Sequence, residues 1–392
     1  MKRILCSVML LILPALLSGC GGQEIESSLF VIAMAVDPAP DGTLTVTVKA
    51  LSGTQETGGA GQTGGTAPDA GAQEQASAAE QSEPGYIVLS ATAPSCLRAL
   101  SLLSATTPRT LNLSQLQEVV LSRTLAQTDA ALPILREIHS MYRANSGAIV
   151  VVTPDNAGDF IRRQHALLGV RLSQYLQVLF ESLSRMDTIP PRAQLASVIA
   201  AMESGTRDAA AVYAAGNAFD SSLVLPGTPE LDRLPGHLPR TSPAENEYLG
   251  SAIFSGGRMT GTLTGSETAL LCLITGEART RSPVIGSTQY KVNLPTRVRR
   301  YIGEDGTLCV HIRMNLTRIA GDQGRTAQDV AAQIERTAVS LLQKLQAADC
   351  DAAGYGAQAI RGYLTTAQWE RSEWADAYRS APVRVTADVR IL

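Results

Sequence analysis

ILREIHSMYRANSGAIVVVTPDNAGDFI, residues 134–161, holds the architecture of the chain in miniature. Leu135, Ile138 and Tyr142 fall near helical spacing, so the segment AALPILREIHSMYR predicts a helix. GAIVVVTP is a short, continuous apolar run of branched residues, the pattern of a strand buried on both faces. DNAGDFIRR then opens another helix. Helix, buried strand and helix in succession imply a mixed sheet covered by helices, which is an α+β fold.

The same alternation extends in both directions. Upstream, SLFVIAMAVD and GTLTVTVKAL read as strands, the second with Leu44, Val46 and Val48 on one face. Asp-Pro-Ala-Pro-Asp-Gly makes the turn between them. Residues 52–85 hold no aromatic and no branched aliphatic side chain before Pro84, and such a composition predicts a disordered loop between strands. The GxGxxG at Gly59–Gly64 is a product of that composition, since no strand leads closely into it and no amphipathic helix follows. GYIVLSA, PSCLRALSLLSATT and LQEVVLS then give strand, helix and buried strand. Downstream, LSQYLQVLFESLSRM and RAQLASVIAAMES are helical, and AAAVYAAGNAF is one more strand.

Five prolines between 226 and 243 mark an irregular connector. YLGSAIFSGGRMTGTLTGSETALLCLITG reads as a small β unit turning at Ser255-Gly256-Gly257-Arg258. KVNLPTRVRRYI and TLCVHIRMNLTRI are strands joined at Gly303-Glu304-Asp305-Gly306. Thr326 caps a long helix, with Asp329 three residues on. Its apolar stripe is Val330, Ile334, Ala338, Leu341 and Leu345. APVRVTADVRIL closes the chain as an alternating strand.

The amino terminus has a different character. Lys2 and Arg3 precede an apolar run, Ile4 to Leu17, that is too short to span a bilayer and is broken by Pro14. This is the layout of a signal peptide over residues 1–19. Leu17-Ser18-Gly19-Cys20 resembles the lipobox of bacterial lipoproteins. The resemblance implies cleavage before Cys20 and a diacylglycerol on its sulfur, which would place the remaining chain outside the cytoplasm, at a membrane surface.

The chain carries 33 basic and 36 acidic residues, and loss of Lys2 and Arg3 with the leader makes it more acidic still. No basic patch stands out in the sequence, which argues against a nucleic-acid partner. Besides Cys6 and Cys20, the cysteines are Cys96, Cys272, Cys309 and Cys350. They lie far apart with no CxxC pair, so a zinc site has no support, while a disulfide among them stays open. Cys272 and Cys309 sit in apolar, strand-like runs and read as buried structural thiols.

Catalytic patterns are missing. His139, His165, His237 and His311 form no HExxH, and neither a GxSxG elbow nor an SxxK set occurs. Cys309 and His311 share a strand face, but two neighbours do not make a metal site. Glu370, Glu373 and Asp376 recur at helical spacing beside Trp369 and Trp374 and read as a solvated face. Asp37 before Pro38 reads as a strand-ending turn, and Asp351 before Gly354 as a helix exit. No catalytic residue, metal ligand or cofactor site is assigned.

The order of elements from Cys20 onward resembles the Ger(x)C family of spore germination lipoproteins, the C subunit of germinant receptors. The likeness rests on the lipobox followed by Glu24-Ile25, the strand closing in Asp37 and the segment 134–161. It continues through GSAIFSGGRMTGTLTGSET and the long helix into DCDAAGYG, then WERSEWADAY and the final strand. It implies three α+β domains, placed on this chain at 20–182, 183–279 and 280–392. It also implies a non-enzymatic role and assembly with two integral-membrane subunits, A and B, on the outer face of the spore inner membrane. A solute-binding lipoprotein of a transporter is the alternative reading.

Overall fold

A computed structural model describes residues 27–52, 85–167, 169–217, 231–239, 246–286, 288–362 and 365–392. The signal peptide, Cys20 and nearly all of the loop expected at 52–85, with its GxGxxG, lie outside the described residues.

The strands are β1 (Ser28–Pro38), β2 (Leu44–Leu51), β3 (Tyr86–Ala93), β4 (Thr110–Asn112), β5 (Glu118–Ser122), β6 (Ile149–Thr153), β7 (Ala210–Gly216), β8 (Asn246–Ser255), β9 (Arg258–Leu263), β10 (Val284–Ile285), β11 (Thr288–Ile302), β12 (Leu308–Ala320) and β13 (Val383–Ile391). The longer helices are α1 (Cys96–Ser104), α2 (Ala131–Ser140), α3 (Ala157–Arg163), α4 (Leu172–Arg185), α5 (Leu195–Glu203), α6 (Gly265–Thr275), α7 (Ala327–Ala347) and α8 (Trp374–Ser380).

Two sheets organise these elements, and the fold is α+β. The first runs β3-β2-β1-β5-β6-β7-β8-β9, with β4 beside the start of β1. Its centre, β1-β5-β6-β7, is parallel, and its flanking pairs are antiparallel. Parallel strands need helices on both faces, and both faces have them. Val36, Val48, Val119 and Val150 pack with α1, α2 and α5 on one side. Ala35, Val120, Val151 and Val212 pack with α3 and α4 on the other. A register shift between Val31 and Ala33 turns Ile32 and Ala33 to the same side, as a bulge does. β7, β8 and β9 fall in the segment expected as a middle unit, yet they extend this same sheet.

The second sheet runs β10-β11-β12-β13. β11 and β12 form a long hairpin, and β13 returns parallel to β12 after the crossover through α7. Val330, Ile334, Ala338, Leu341 and Leu345 of α7 are all buried against Val310, Ile312 and Leu316. Full burial contributes roughly 1.5–3 kcal/mol for each large apolar side chain, so this stripe binds α7 to the sheet. Thr326 and Asp329 form the capping box that starts the helix. Ile253, Leu263, Leu271 and Ile274 pack into the same core, joining the two sheets through β8, β9 and α6.

Two expectations give way here. TALLCLITG is helix α6, so Cys272 lies on a helix and not in a strand. Thr264 and Glu267 make a reciprocal capping box ahead of it, and Gly276 ends it in the left-handed region, signals that decide for helix where an apolar run alone is ambiguous. Tyr142 does not join the apolar face of α2. That helix stops at Ser140, Met141 is extended, Arg143 has a positive φ, and Tyr142 is 80% exposed.

Candidate functional site

Cys20 falls outside the described residues. Cys96, Cys272, Cys309 and Cys350 are all buried and unpaired with one another. Burial pushes the Cys96 thiol up to about 12 and raises those of Cys272 and Cys350 further, so these three are protonated and inert at neutral pH. Cys309 and His311 do share a face, with the His311 ring 2.9 Å from the Thr386 hydroxyl. Among the described residues no three metal-ligating side chains cluster. Glu373 and Asp376 are exposed, as expected of a solvated face. Trp369 is buried, its ring 5.9 Å from that of Trp374, which stands 6.0 Å from Tyr378, and this aromatic row holds the C-terminal segment down.

Asp37 and Asp351 do more than end their elements. Asp37 is buried, and its two carboxylate oxygens accept from the backbone amides of Ala157 and Gly158 at 2.8 and 2.9 Å. It therefore caps α3 from 120 residues away, clamping that helix to β1. Asp351 accepts from the Tyr355 and Gly356 amides at 2.9 and 2.6 Å. Its own amide donates to Asp208 at 2.7 Å, and the other Asp208 oxygen accepts from Gly256 in the β8–β9 turn. A buried carboxylate and a half-buried one thus tie the start of β7, the β8–β9 hairpin and the exit of α7 into one seam. Burial raises both, Asp351 to about 7.

Beside this seam opens a cleft of about 400 Å³ whose wall includes Arg192, Ser204, Thr206, Arg207, Asp208 and Ala352. Arg192 and Arg207 share Glu277, at 2.5 and 4.0 Å. Arg300 projects inward from β11 opposite Val310, and both Arg300 and Arg207 approach Gly354. Burial lowers Arg207 and Arg300, and their mutual repulsion and that of Arg192 lower them further. Three guanidiniums around one paired carboxylate leave donors for an anion such as a carboxylate or phosphate. The Asp208 and Asp351 oxygens at the cleft are engaged by backbone amides. The sequence gives no warning of this grouping, because its members are spread from Arg192 to Asp351 and meet only where the sheets join.

A second polar group is sealed inside the first sheet. Lys49 donates to the Gln164 carbonyl, and the Gln164 amide donates to Glu118 and, at 2.6 Å, to Tyr248. Tyr248 donates to the other Glu118 oxygen at 3.2 Å. Phe160 and Phe180 meet the Tyr248 ring edge-on and exclude water. Burial raises Glu118 to about 7, against the opposing pull of Gln164, Tyr248 and Lys49. The folded state therefore holds protons here, and at Asp351, that the unfolded chain releases near its ordinary carboxylate values. The stabilising contribution is complete below those values and is lost as pH rises through about 7. Urea midpoints measured from about pH 5 to 8 are expected to fall, and Glu118→Gln is expected to remove part of that slope, the rest staying with Asp351, Asp208 and Asp187, whose carboxyls burial also raises. An unchanged slope in the variant would contradict this assignment.

Comparison with known proteins gives a consistent outcome. The family model "Spore germination protein N-terminal domain" matches residues 21–215, and "Spore germination B3/GerAC like, C-terminal" matches residues 249–392. A solved structure titled "Crystal Structure of the GerBC protein" aligns over 92% of this chain and 96% of its own, at 13% identity and a TM-score of 0.49. No curated protein matches.

Proposed function

The chain belongs to the GerAC-like spore germination family, and from that premise we propose that it is the lipid-anchored, non-enzymatic C subunit of a germinant receptor. In this reading the diacylglycerol on Cys20 holds the folded body at the outer face of the spore inner membrane. There it assembles with the integral-membrane A and B subunits and couples germinant sensing to their response. Confinement to the membrane surface raises its effective concentration near those partners.

The observation that carries the reading is the pair of family matches, which between them cover both sheets in family order. The seam gives it a physical basis, since Asp208 and Asp351 lock the sheets so that a force on one is felt by the other. Among the described residues no helix is long and apolar enough to cross a membrane, and attachment through the lipid is supported by the lipobox Leu17-Ser18-Gly19-Cys20. Spores lacking the protein are expected to lose response to at least one germinant and to regain it on complementation. Unaltered germination with every germinant would refute the coupling role.

The cleft lined by Arg192 and Arg207, with Arg300 nearby, favours a second reading, direct binding of a small carboxylate-bearing solute. Bound solute stabilises the fold by mass action, about 2.7 kcal/mol at a hundredfold excess over Kd. A thermal shift with amino acids that disappears in Arg207→Gln would support it, and no shift with any of them would dismiss it.

A further inference from the structure

The second sheet has one face covered by α7 and one face left open, and the open face is basic. Pairing puts Arg297 opposite Arg313, Arg299 opposite His311 and Asn315 beside Arg390, with Arg384 next to Cys309 and Lys291 next to Thr317. All of these residues share the parity that points away from the core, since the alternate positions Val310, Ile312, Met314 and Leu316 are the buried ones. Lys291, Arg297, Arg299, Arg313, Arg384 and Arg390 are each exposed. The acidic side chains that answer them are Asp388, 3.1 Å from Arg313 and 3.8 Å from His311, and, at the β11–β12 turn, Asp305, which feels the charge of Arg384. Six cations on one sheet face belong to a chain whose overall charge is negative.

Arginine directly opposite arginine destabilises a strand pair. A sequence that keeps such a pair in a water-exposed sheet departs from local consistency, and departures of that kind mark places where function sets the residues. The occupant can be argued from the shape of the charge. The cations are spread over several rows of a broad face instead of ringing a pocket. Tyr301 is exposed at 40% toward one end of this face, and Val284, Ile319 and Leu392, at 54%, 52% and 74%, lie toward the other, so none of them sits among the cations at its centre. A specific protein interface needs a dehydrated apolar centre, which this face lacks. Nucleic-acid platforms interleave aromatics for base stacking, and here one tyrosine is present, covered by Arg299 at 5.2 Å. A plane of phosphates matches the arrangement, and tyrosine suits the headgroup layer.

We propose that the open face of the second sheet docks on an anionic phospholipid surface, its guanidinium and ammonium groups pairing with headgroup phosphates. This deepens the proposed function, on which it rests for its membrane setting. It names the side of the body that meets the bilayer, leaving the Arg192–Arg207 cleft on a different surface, at the seam.

Flotation of the full chain carrying Cys20→Ala, so that no acyl chain contributes, tests the proposal. Vesicles are phosphatidylglycerol mixed with phosphatidylcholine, or phosphatidylcholine alone. Preferential binding to the anionic vesicles is expected, weakening steeply as salt shortens the screening length. Replacing Arg297, Arg299, Arg313 and Arg384 together with Gln is expected to weaken it more than about tenfold, while the matching Lys variant retains it. The Gln variant relieves like-charge crowding, so its melting temperature should not fall. If it does fail to fold, the lipid and salt dependence of the unsubstituted face still decides. Equal binding to both vesicle types, binding by the Gln variant as strong as by its parent, or a preference for single-stranded oligonucleotide or an acidic protein over anionic vesicles would each overturn it. Spores whose germination needs the protein although its face ignores anionic vesicles would sink this inference and leave the receptor reading standing.

Discussion

Gly250→Ala is expected to cost more than about 3 kcal/mol and to leave the protein largely unfolded or insoluble. Gly250 lies within β8 at φ +85°, and a methyl group there would meet the Leu263 carbonyl oxygen of the backbone at 2.2 Å. No side-chain rearrangement relieves a contact with a carbonyl held in the β8–β9 pairing, where Ser251 faces Leu263. The Gly250 amide also donates to the Thr188 carbonyl at 2.7 Å, so the strand cannot retreat without losing its bond to the loop after α4. Gly276→Ala is the informative control. Gly276 has a similar φ of +75° but open space around it, so its replacement should cost only about 1 kcal/mol. A small domain has roughly 5–15 kcal/mol in total, which makes the first change severe and the second mild. Equal melting temperatures for the two variants would show that the close approach of β8 to β9 is not as described.

The second large effect concerns attachment. On the proposed anchoring, Cys20→Ala abolishes incorporation of labelled palmitate, because the sulfur is the sole acceptor of the diacylglycerol. Each buried methylene contributes about 0.8 kcal/mol, so two chains hold firmly where one binds marginally. The unsubstituted protein should stay with membranes through a high-salt wash and leave only with detergent. The variant should lose germination function even at normal abundance, since the folded body does not depend on the anchor. Palmitate labelling that persists in the variant would refute the assignment of Cys20.

Much of the fold can be read from local pattern. The alternation in GTLTVTVKAL, the continuous run in GAIVVVTP and the α7 stripe each follow from which faces are buried, and burial leaves a period in the sequence. TALLCLITG has no such period, since α6 is packed on several sides, and its capping box was the available clue. The carboxylate clamps were illegible for another reason. Asp37 reaches a helix 120 residues away and Asp208 meets Asp351 across the seam, and no spacing rule links positions brought together by tertiary contact. The basic face was hidden by the alternation that creates it, because in the sequence each outward arginine is separated from the next by a residue turned to the core. It emerges when three strands are laid side by side.

The position of β13 has a consequence for biogenesis. Its partner β12 ends more than sixty residues earlier in the chain, and the amide of Leu392 donates to the Leu316 carbonyl at 2.8 Å. The second sheet therefore cannot close until the chain has been made through Leu392. A nascent or prematurely stopped product would expose the bare edge of β12, a template for mispairing with other chains.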